Sequence, residues 1–183
     1  MIDDAISGNR IIGIIQPKKP SDERQSLEGN SIALKSIGCA GRITAFSETE
    51  DDHVLITLTG ISRFQVTGED ETETPYRICQ TGFASFADDL IQDLGSDDVD
   101  REHLLEVLKT YLEVHDLNAD WQGIYRSSSE FLVNTLSVIS PYGPEEKQAL
   151  LEAADLKNRA EVLVALAEMD IASQDNESGT TLQ

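Results

Sequence analysis

The run from Gly38 to Val66 restricts the possible folds of this chain more than any other. Gly38-Cys39-Ala40-Gly41-Arg42-Ile43-Thr44-Ala45-Phe46 and Val54-Leu55-Ile56-Thr57-Leu58-Thr59-Gly60-Ile61-Ser62-Arg63-Phe64-Gln65-Val66 form two β-rich arms on either side of an acidic linker, Glu48 to Asp52. In the second arm Val54, Ile56 and Leu58 share one face while Leu55, Thr57 and Thr59 share the other, the period of a half-buried strand. Both faces are fairly apolar, as in a small barrel. Gly60 interrupts the β-branched run, and a glycine there marks a bulge or corner that turns the strand. The pattern predicts a long hairpin in a curled sheet, with its second arm bent.

Shorter elements flank it. Met1 to Ile6 read as the last turns of a helix closed by Ser7-Gly8-Asn9, with Gly8 placed to supply a left-handed cap. Arg10 to Ile15 read as a strand stopped by Gln16-Pro17. Lys18 to Asn30, polar and containing Pro20 and Gly29, has the composition of a mobile loop. After the hairpin, Gly68 to Pro75 is an acidic loop and Tyr76 to Phe83 one more strand, which completes the β part near Phe86.

Beyond Phe86 the period changes from two to about 3.6 residues. Leu104, Leu105, Leu108, Tyr111, Leu112 and His115 form a helical stripe entered through Asp97, Asp98 and Asp100, acids suited to a helix N-terminus. A second helix is expected from Ser127, where Ser127-x-x-Glu130 reads as a capping box, with Phe131, Leu132, Thr135, Leu136 and Ile139 inward. Ser140-Pro141-Tyr142-Gly143 stops it. Pro144 opens a third helix carrying Ala149, Leu150 and Ala153. Asp155 caps a fourth with Ala160, Leu163, Val164 and Ala167 inward. The short connections predict antiparallel neighbours. The expected organisation is a β subdomain over 1–86, a helical subdomain over 87–172 and a disordered tail over 173–183.

Charge narrows the partners. A formal net charge of −20 over 183 residues leaves few clustered cations to neutralise phosphates, which argues against nucleic acid and anionic membranes. Cys39 and Cys79 sit in predicted strands among apolar neighbours and are expected as reduced thiols. No basic-then-apolar signal segment opens the chain, so a cytoplasmic location is expected.

Chemistry-bearing patterns are missing from the sequence. No Gly-x-x-x-x-Gly-Lys-Ser/Thr loop is present to cradle a nucleotide's phosphates. His53, His103 and His115 lack the spacing that lets ligands converge on a metal, and the acidic runs lack the glycine and terminal glutamate of a calcium loop. No cofactor, metal or catalytic residue is expected. Lys35 and Ser36 are adjacent on a strand and point to opposite faces, so they cannot form a base and nucleophile. Arg42 and Arg63 could face a ligand groove, though pairing with the surrounding carboxylates is the ordinary role of arginine in an acidic chain. Trp121 is read as a packing anchor of the helical part. Gly38, Gly41 and Gly60 are read as backbone-geometry residues.

The hairpin also carries a resemblance. Gly38-Cys39-Ala40-Gly41-Arg42-Ile43 followed by Leu58-Thr59-Gly60-Ile61-Ser62-Arg63-Phe64 resembles the N-terminal, substrate-binding domain of Lon proteases, and most of all the bacterial stand-alone proteins that carry it without the protease. Ile11 to Pro17, Glu146 to Glu152, and Arg159-Ala160-Glu161 extend the likeness over nearly the whole chain. The resemblance implies an α+β fold, a small curled β-barrel related to the pseudouridine-synthase-associated (PUA-like) domains followed by an antiparallel helical bundle. It implies a non-catalytic module that binds unfolded or apolar polypeptide segments and delivers them to a protease. The family's serine–lysine proteolytic centre belongs to a separate domain, so peptidase activity is not expected. A groove between the barrel and the first long helix, with Arg42, Arg63, Phe64 and Tyr111 in it, is the expected binding surface. The alternative is a small-molecule sensor of the same barrel type. In the family a first strand and Pro-rich loop precede the opening helix. Their absence implies a start at an internal methionine, an open sheet edge, and self-association through that edge.

Overall fold

A computed structural model describes residues 1–18, 32–51 and 53–179, with side chains through Gln174. The loop expected from Lys18 to Asn30 lies, beyond its first residue, outside the described residues. The chain divides into two compact units, Met1–Gln92 and Asp93–Gln183.

The first unit opens with helix α1, Ile2–Ser7. Gly8 is not its left-handed cap: its φ of −103° and ψ of −127° lie elsewhere, and the positive φ, 60°, falls on Arg10. The Asn9 side chain accepts from the Ile11 amide at 3.0 Å, and the Arg10 amide returns to the Ala5 carbonyl at 2.8 Å. The polar Asn9 thus sets the turn, and the left-handed residue comes after it.

Four antiparallel strands follow in the order β1 (Ile11–Ile14), β2 (Ile37–Glu48), β3 (Val54–Asp70), β4 (Ile78–Gly82). The hairpin bends where the glycine predicted it. Ala40 pairs with Ser62 but Gly41 with Gly60, which leaves Ile61 as an extra residue on β3 and a bulge in the ladder. Past the bulge the burial pattern changes: Ser62, Arg63 and Phe64 are buried, whereas Leu55 near the tip is exposed. The expected barrel is not closed among the described residues, since β1 and β4 remain the outer strands of an open sheet. Both are short beside β3, and closing a barrel needs enough tilted, staggered strands to bring the two edges together.

Phe64 is the centre of this unit's packing. Its ring lies so close to β1 and β2 that a Cβ on Gly38 would sit 2.6 Å from Phe64 Cζ and 2.7 Å from the Ile14 carbonyl oxygen. Gly38 is therefore a close-approach glycine. A 3₁₀ segment, Ala84–Leu90, returns across β3 after β4 and brings Asp89 to Arg63.

The second unit contains a 3₁₀ turn, Ser96–Asp98, and helices α2 (Arg101–Val114), α3 (Trp121–Arg126), α4 (Ser129–Ile139), α5 (Pro144–Glu152) and α6 (Leu156–Gly179). Side-chain caps begin four of them: Asp100 accepts from the His103 amide at 3.1 Å, Asp120 from Gly123 at 3.1 Å, Ser128 from Phe131 at 3.2 Å and Asp155 from Asn158 at 2.8 Å. Helix α3 is not foreshadowed by any stripe. Its presence also displaces the expected capping box. Ser127 closes α3, its hydroxyl donating to the Gly123 carbonyl at 2.8 Å, so Ser128 starts α4 and the Glu130 carboxylate accepts from the Asp93 amide at 2.6 Å.

The buried face of α4 is accordingly not the expected stripe. Leu132 and Val133 are buried, while Phe131 and Ile139 are exposed. This helix is apolar around most of its circumference, so periodicity alone does not select a face. In α5, Gln148 and Leu150 are buried and Ala149 is exposed. The expected inward face of α6 is present, with Ala160, Leu163 and Ala167 buried and Val164 half-buried. That helix runs on past Ser173 to Gly179. Val99, Leu104, Leu132, Val133, Leu150, Leu156, Ala160 and Leu163 make the core of this unit.

Candidate binding site

The four residues expected to share a groove fall in different settings. Arg42 is exposed on β2 and donates to the Asn9 carbonyl at 3.4 Å. Arg63 is buried, with its guanidinium on the Asp89 carboxylate at 2.7 to 3.2 Å and stacked 4.6 Å from the Phe86 ring centroid. Phe64 is buried against Gly13 and Gly38, its ring centroid 6.1 Å from that of Phe83. Tyr111 belongs to the second unit, where it faces a cleft.

That cleft has a volume of about 420 Å³ and is formed by α2, α4, the turn after α4, and α6. Helix α2 gives Leu104, Val107, Leu108, Tyr111, Leu112 and His115, residues whose spacing keeps them on one side of a helix. Leu136 and Ile139 of α4, with Pro141 and Tyr142 of the turn, form a second wall. Leu163, Val164, Ala167 and Asp170 of α6 form the third. His103 in the first turn of α2 meets Glu168 at 3.6 Å, and His115 at its C-cap meets Asp170 at 3.5 Å. Glu168 and Asp170 are close along α6 while the two histidines stand at opposite ends of α2. Between these two pairs, Val107 and Tyr111 of α2 pack on Ala167 of α6.

The polar groups of the cleft converge. The Tyr111 and His115 rings touch at a tilt of 44°, with centroids 4.3 Å apart. Burial pushes the Tyr111 hydroxyl's pKa up, and the neighbouring Asp170 charge and its hydrogen bond with Tyr111 push it further. Tyr142 is pushed up to about 12, chiefly by burial and then by Tyr111 and Asp170. Both phenols are thus neutral hydrogen-bond donors at physiological pH. The 3.5 Å approach of His115 Nε2 to Asp170 is an ion-pair distance without hydrogen-bond alignment, and Nε2 is buried with no hydrogen-bond partner.

Part of this was visible in the sequence. Leu104, Leu108, Tyr111, Leu112 and His115 lie on the predicted stripe of α2. Val107, Tyr142 and Asp170 were not singled out: Tyr142 looks like part of a helix stop, and Asp170 like one more acid on a solvated face. The only signal for Asp170 is its spacing of three from Ala167 on the inward face of α6.

Among the described residues no group of three or more His, Cys, Asp or Glu converges as a metal site, and no helix is long and apolar enough to cross a membrane. Cys39 and Cys79 are thiols, and that of Cys39 donates to the Ala40 carbonyl at 3.6 Å.

An open antiparallel sheet followed by a helical unit with an apolar cleft is an α+β architecture. The chain matches the profile of the ATP-dependent protease La (LON) substrate-binding domain over residues 1–168, and it belongs to that family. Its fold is similar to the crystal structure of a Lon N-terminal domain protein from Xanthomonas campestris, at a TM-score of 0.50 and 16% identity, over 85% of this chain and 88% of that one. The N-terminal domain of the Mycobacterium avium complex Lon protease aligns at a TM-score of 0.49 and 16% identity, over 86% and 90% of the two chains. No curated protein sequence matches the chain. The family is defined by substrate binding, and the match contains no catalytic domain.

Proposed function

We propose that this protein is a non-catalytic cytoplasmic module that binds unfolded or apolar segments of other polypeptides and presents them to a protease. The observation that carries the reading is the cleft of the helical unit, about 420 Å³ in volume and walled mainly by leucine, valine and alanine. Burying an apolar side chain there would supply about 1.5–3 kcal/mol, and the neutral phenols of Tyr111 and Tyr142 offer hydrogen bonds to a client's backbone. The outer strands β1 and β4 add sheet edges on which an extended client, or a second copy, can pair. Arg42, exposed on β2 and bonded through one nitrogen to the Asn9 carbonyl, has further donors for a client carboxylate.

Photo-crosslinking of an unfolded model protein tests the reading. Adducts are expected on the walls of the cleft, at Leu108, Leu136 or Tyr142. Adducts confined to the residues beyond Gln174 would overturn it, and so would ATP-dependent cleavage of casein by the purified chain.

The same cleft gives the small-molecule sensor its one specific support, because its volume falls within the range of ligand pockets, about 300–1,000 Å³. A thermal-shift screen separates the two readings. A large shift from one discrete metabolite, without competition by an unfolded chain, favours the sensor.

A further inference from the structure

We infer that the segment accepted by the helical cleft carries a basic side chain next to its apolar anchor, and that Asp170 reads it. This rests on the polypeptide-binding reading and adds the chemical class of the client. Among the described residues, Asp170 is the one carboxylate on the cleft walls, and neither lysine nor arginine lines them. Its side chain is 28% exposed, enough for contact with an incoming group, yet it stands among Val164, Ala167 and Leu163, where the low local dielectric strengthens its field. Tyr111 occupies part of its accepting capacity with a neutral hydroxyl and the His115 imidazole stands 3.5 Å away, and among the described residues no ammonium or guanidinium lies on the cleft walls.

The chemistry of the contact favours lysine. A lysine ammonium carries three donors on a flexible stem, and one of them can meet the part-exposed Asp170 carboxylate. A purely apolar segment brings that carboxylate no cation, and an acidic one is repelled by it. The methylene stem of the lysine lies along the apolar wall as it reaches that point.

The test uses the full chain and three short fluorescein-labelled peptides that share a central Phe-Leu pair and differ only in flanking lysine, glutamine or glutamate. Anisotropy titrations are run with wild-type protein, Asp170→Asn, and Glu50→Gln as a control that changes the net charge equally in the other unit. The lysine peptide is expected to bind at least tenfold more tightly than the glutamate peptide. Asp170→Asn is expected to reduce that advantage to less than twofold while Glu50→Gln preserves it. Equal binding of all three peptides would overturn the inference and leave polypeptide binding standing. A lysine advantage that persists in Asp170→Asn would also overturn it, assigning the preference to the overall charge. Binding of none of the peptides would remove both readings. If Asp170→Asn does not fold, the ring-nitrogen resonances of His115 in the wild-type protein decide: they must move with the lysine peptide and not with the glutamine peptide.

Discussion

Asp89 holds Arg63 from two directions: its carboxylate accepts from the Arg63 backbone amide at 2.9 Å and takes the guanidinium Nη2 at 2.7 Å and Nε at 2.9 Å. The pair is buried, with side chains 8% and 17% exposed. It fastens the 3₁₀ segment Ala84–Leu90 to the centre of β3, directly beyond the bulge. Removing one partner leaves the other charge buried and unpaired, a loss of about 3–5 kcal/mol. Asp89→Ala and Arg63→Ala are each expected to lower the urea midpoint accordingly, and Arg63→Lys to restore little, because an ammonium cannot make the two-pronged contact or lie flat on Phe86. A loss below about 1 kcal/mol in both alanine variants would mean that the segment is held by something else.

The glycines of the hairpin are predicted to respond unequally. A methyl group on Gly38 would meet the Ile14 carbonyl and the Phe64 ring below 3 Å, and backbone cannot yield as a flexible side-chain end can. At Gly60 the nearest atom to an added Cβ is Cys39 Sγ at 3.7 Å, ordinary contact. Gly38→Ala is expected to cost about 1–3 kcal/mol or more as overpacking against β1, and Gly60→Ala less than about 0.5 kcal/mol. Thermal melts of the two variants check this; equal shifts would refute the distinction.

These two glycines also indicate what the sequence could disclose. The corner at Gly60 was legible because a glycine in a β-branched run marks local strand geometry, a property of neighbours in sequence. The need for glycine at 38 arises from a distant ring, Phe64, and no local pattern reports it. The helical unit divides likewise: the stripe from Leu104 to His115 is periodic and readable, whereas the buried face of α4 is not, because its apolar residues spread over more than half of its circumference. Helix α3 escaped since six residues cannot show a period. The third wall of the cleft comes from α6, far along the chain from α2, so it could be found only in three dimensions.

Lys147 is predicted to matter more than a lysine on an acidic protein normally does. Its ammonium donates to the carbonyls of Ser137 at 2.9 Å, Val138 at 2.7 Å and Ser140 at 2.5 Å, serving the last turn of α4, which has no basic residue of its own. Burial lowers its pKa, so the charge is maintained at a cost in desolvation. Lys147→Met keeps the stem and removes the donors, and is expected to destabilise by about 1–3 kcal/mol. Amide exchange should accelerate first at Ser140, whose amide bonds to the Leu136 carbonyl in that turn. Unchanged exchange there would show that Pro141 alone stops the helix.

The phenols of the cleft give the protein an alkaline limit. Tyr142, raised by burial from an ordinary value of 10.0 to about 12, keeps its proton in the folded state after the unfolded chain has begun to lose it. Between those values the folded state binds more protons, so stability falls as pH rises. The contribution is fully present below pH 10 and lost by about pH 12; Tyr111, raised in the same direction, acts in the same sense. Phenolate absorbance should therefore show a late group that ionises together with loss of helical circular dichroism. Tyr142→Phe should remove part of that group and shift the alkaline unfolding midpoint upward. An occupant that seals the cleft deepens the burial, and a bound apolar peptide should move the same transition to still higher pH. Phenolate formation at the ordinary value, with the helical signal intact, would show that Tyr142 is open to water and that the cleft does not enclose its ligand.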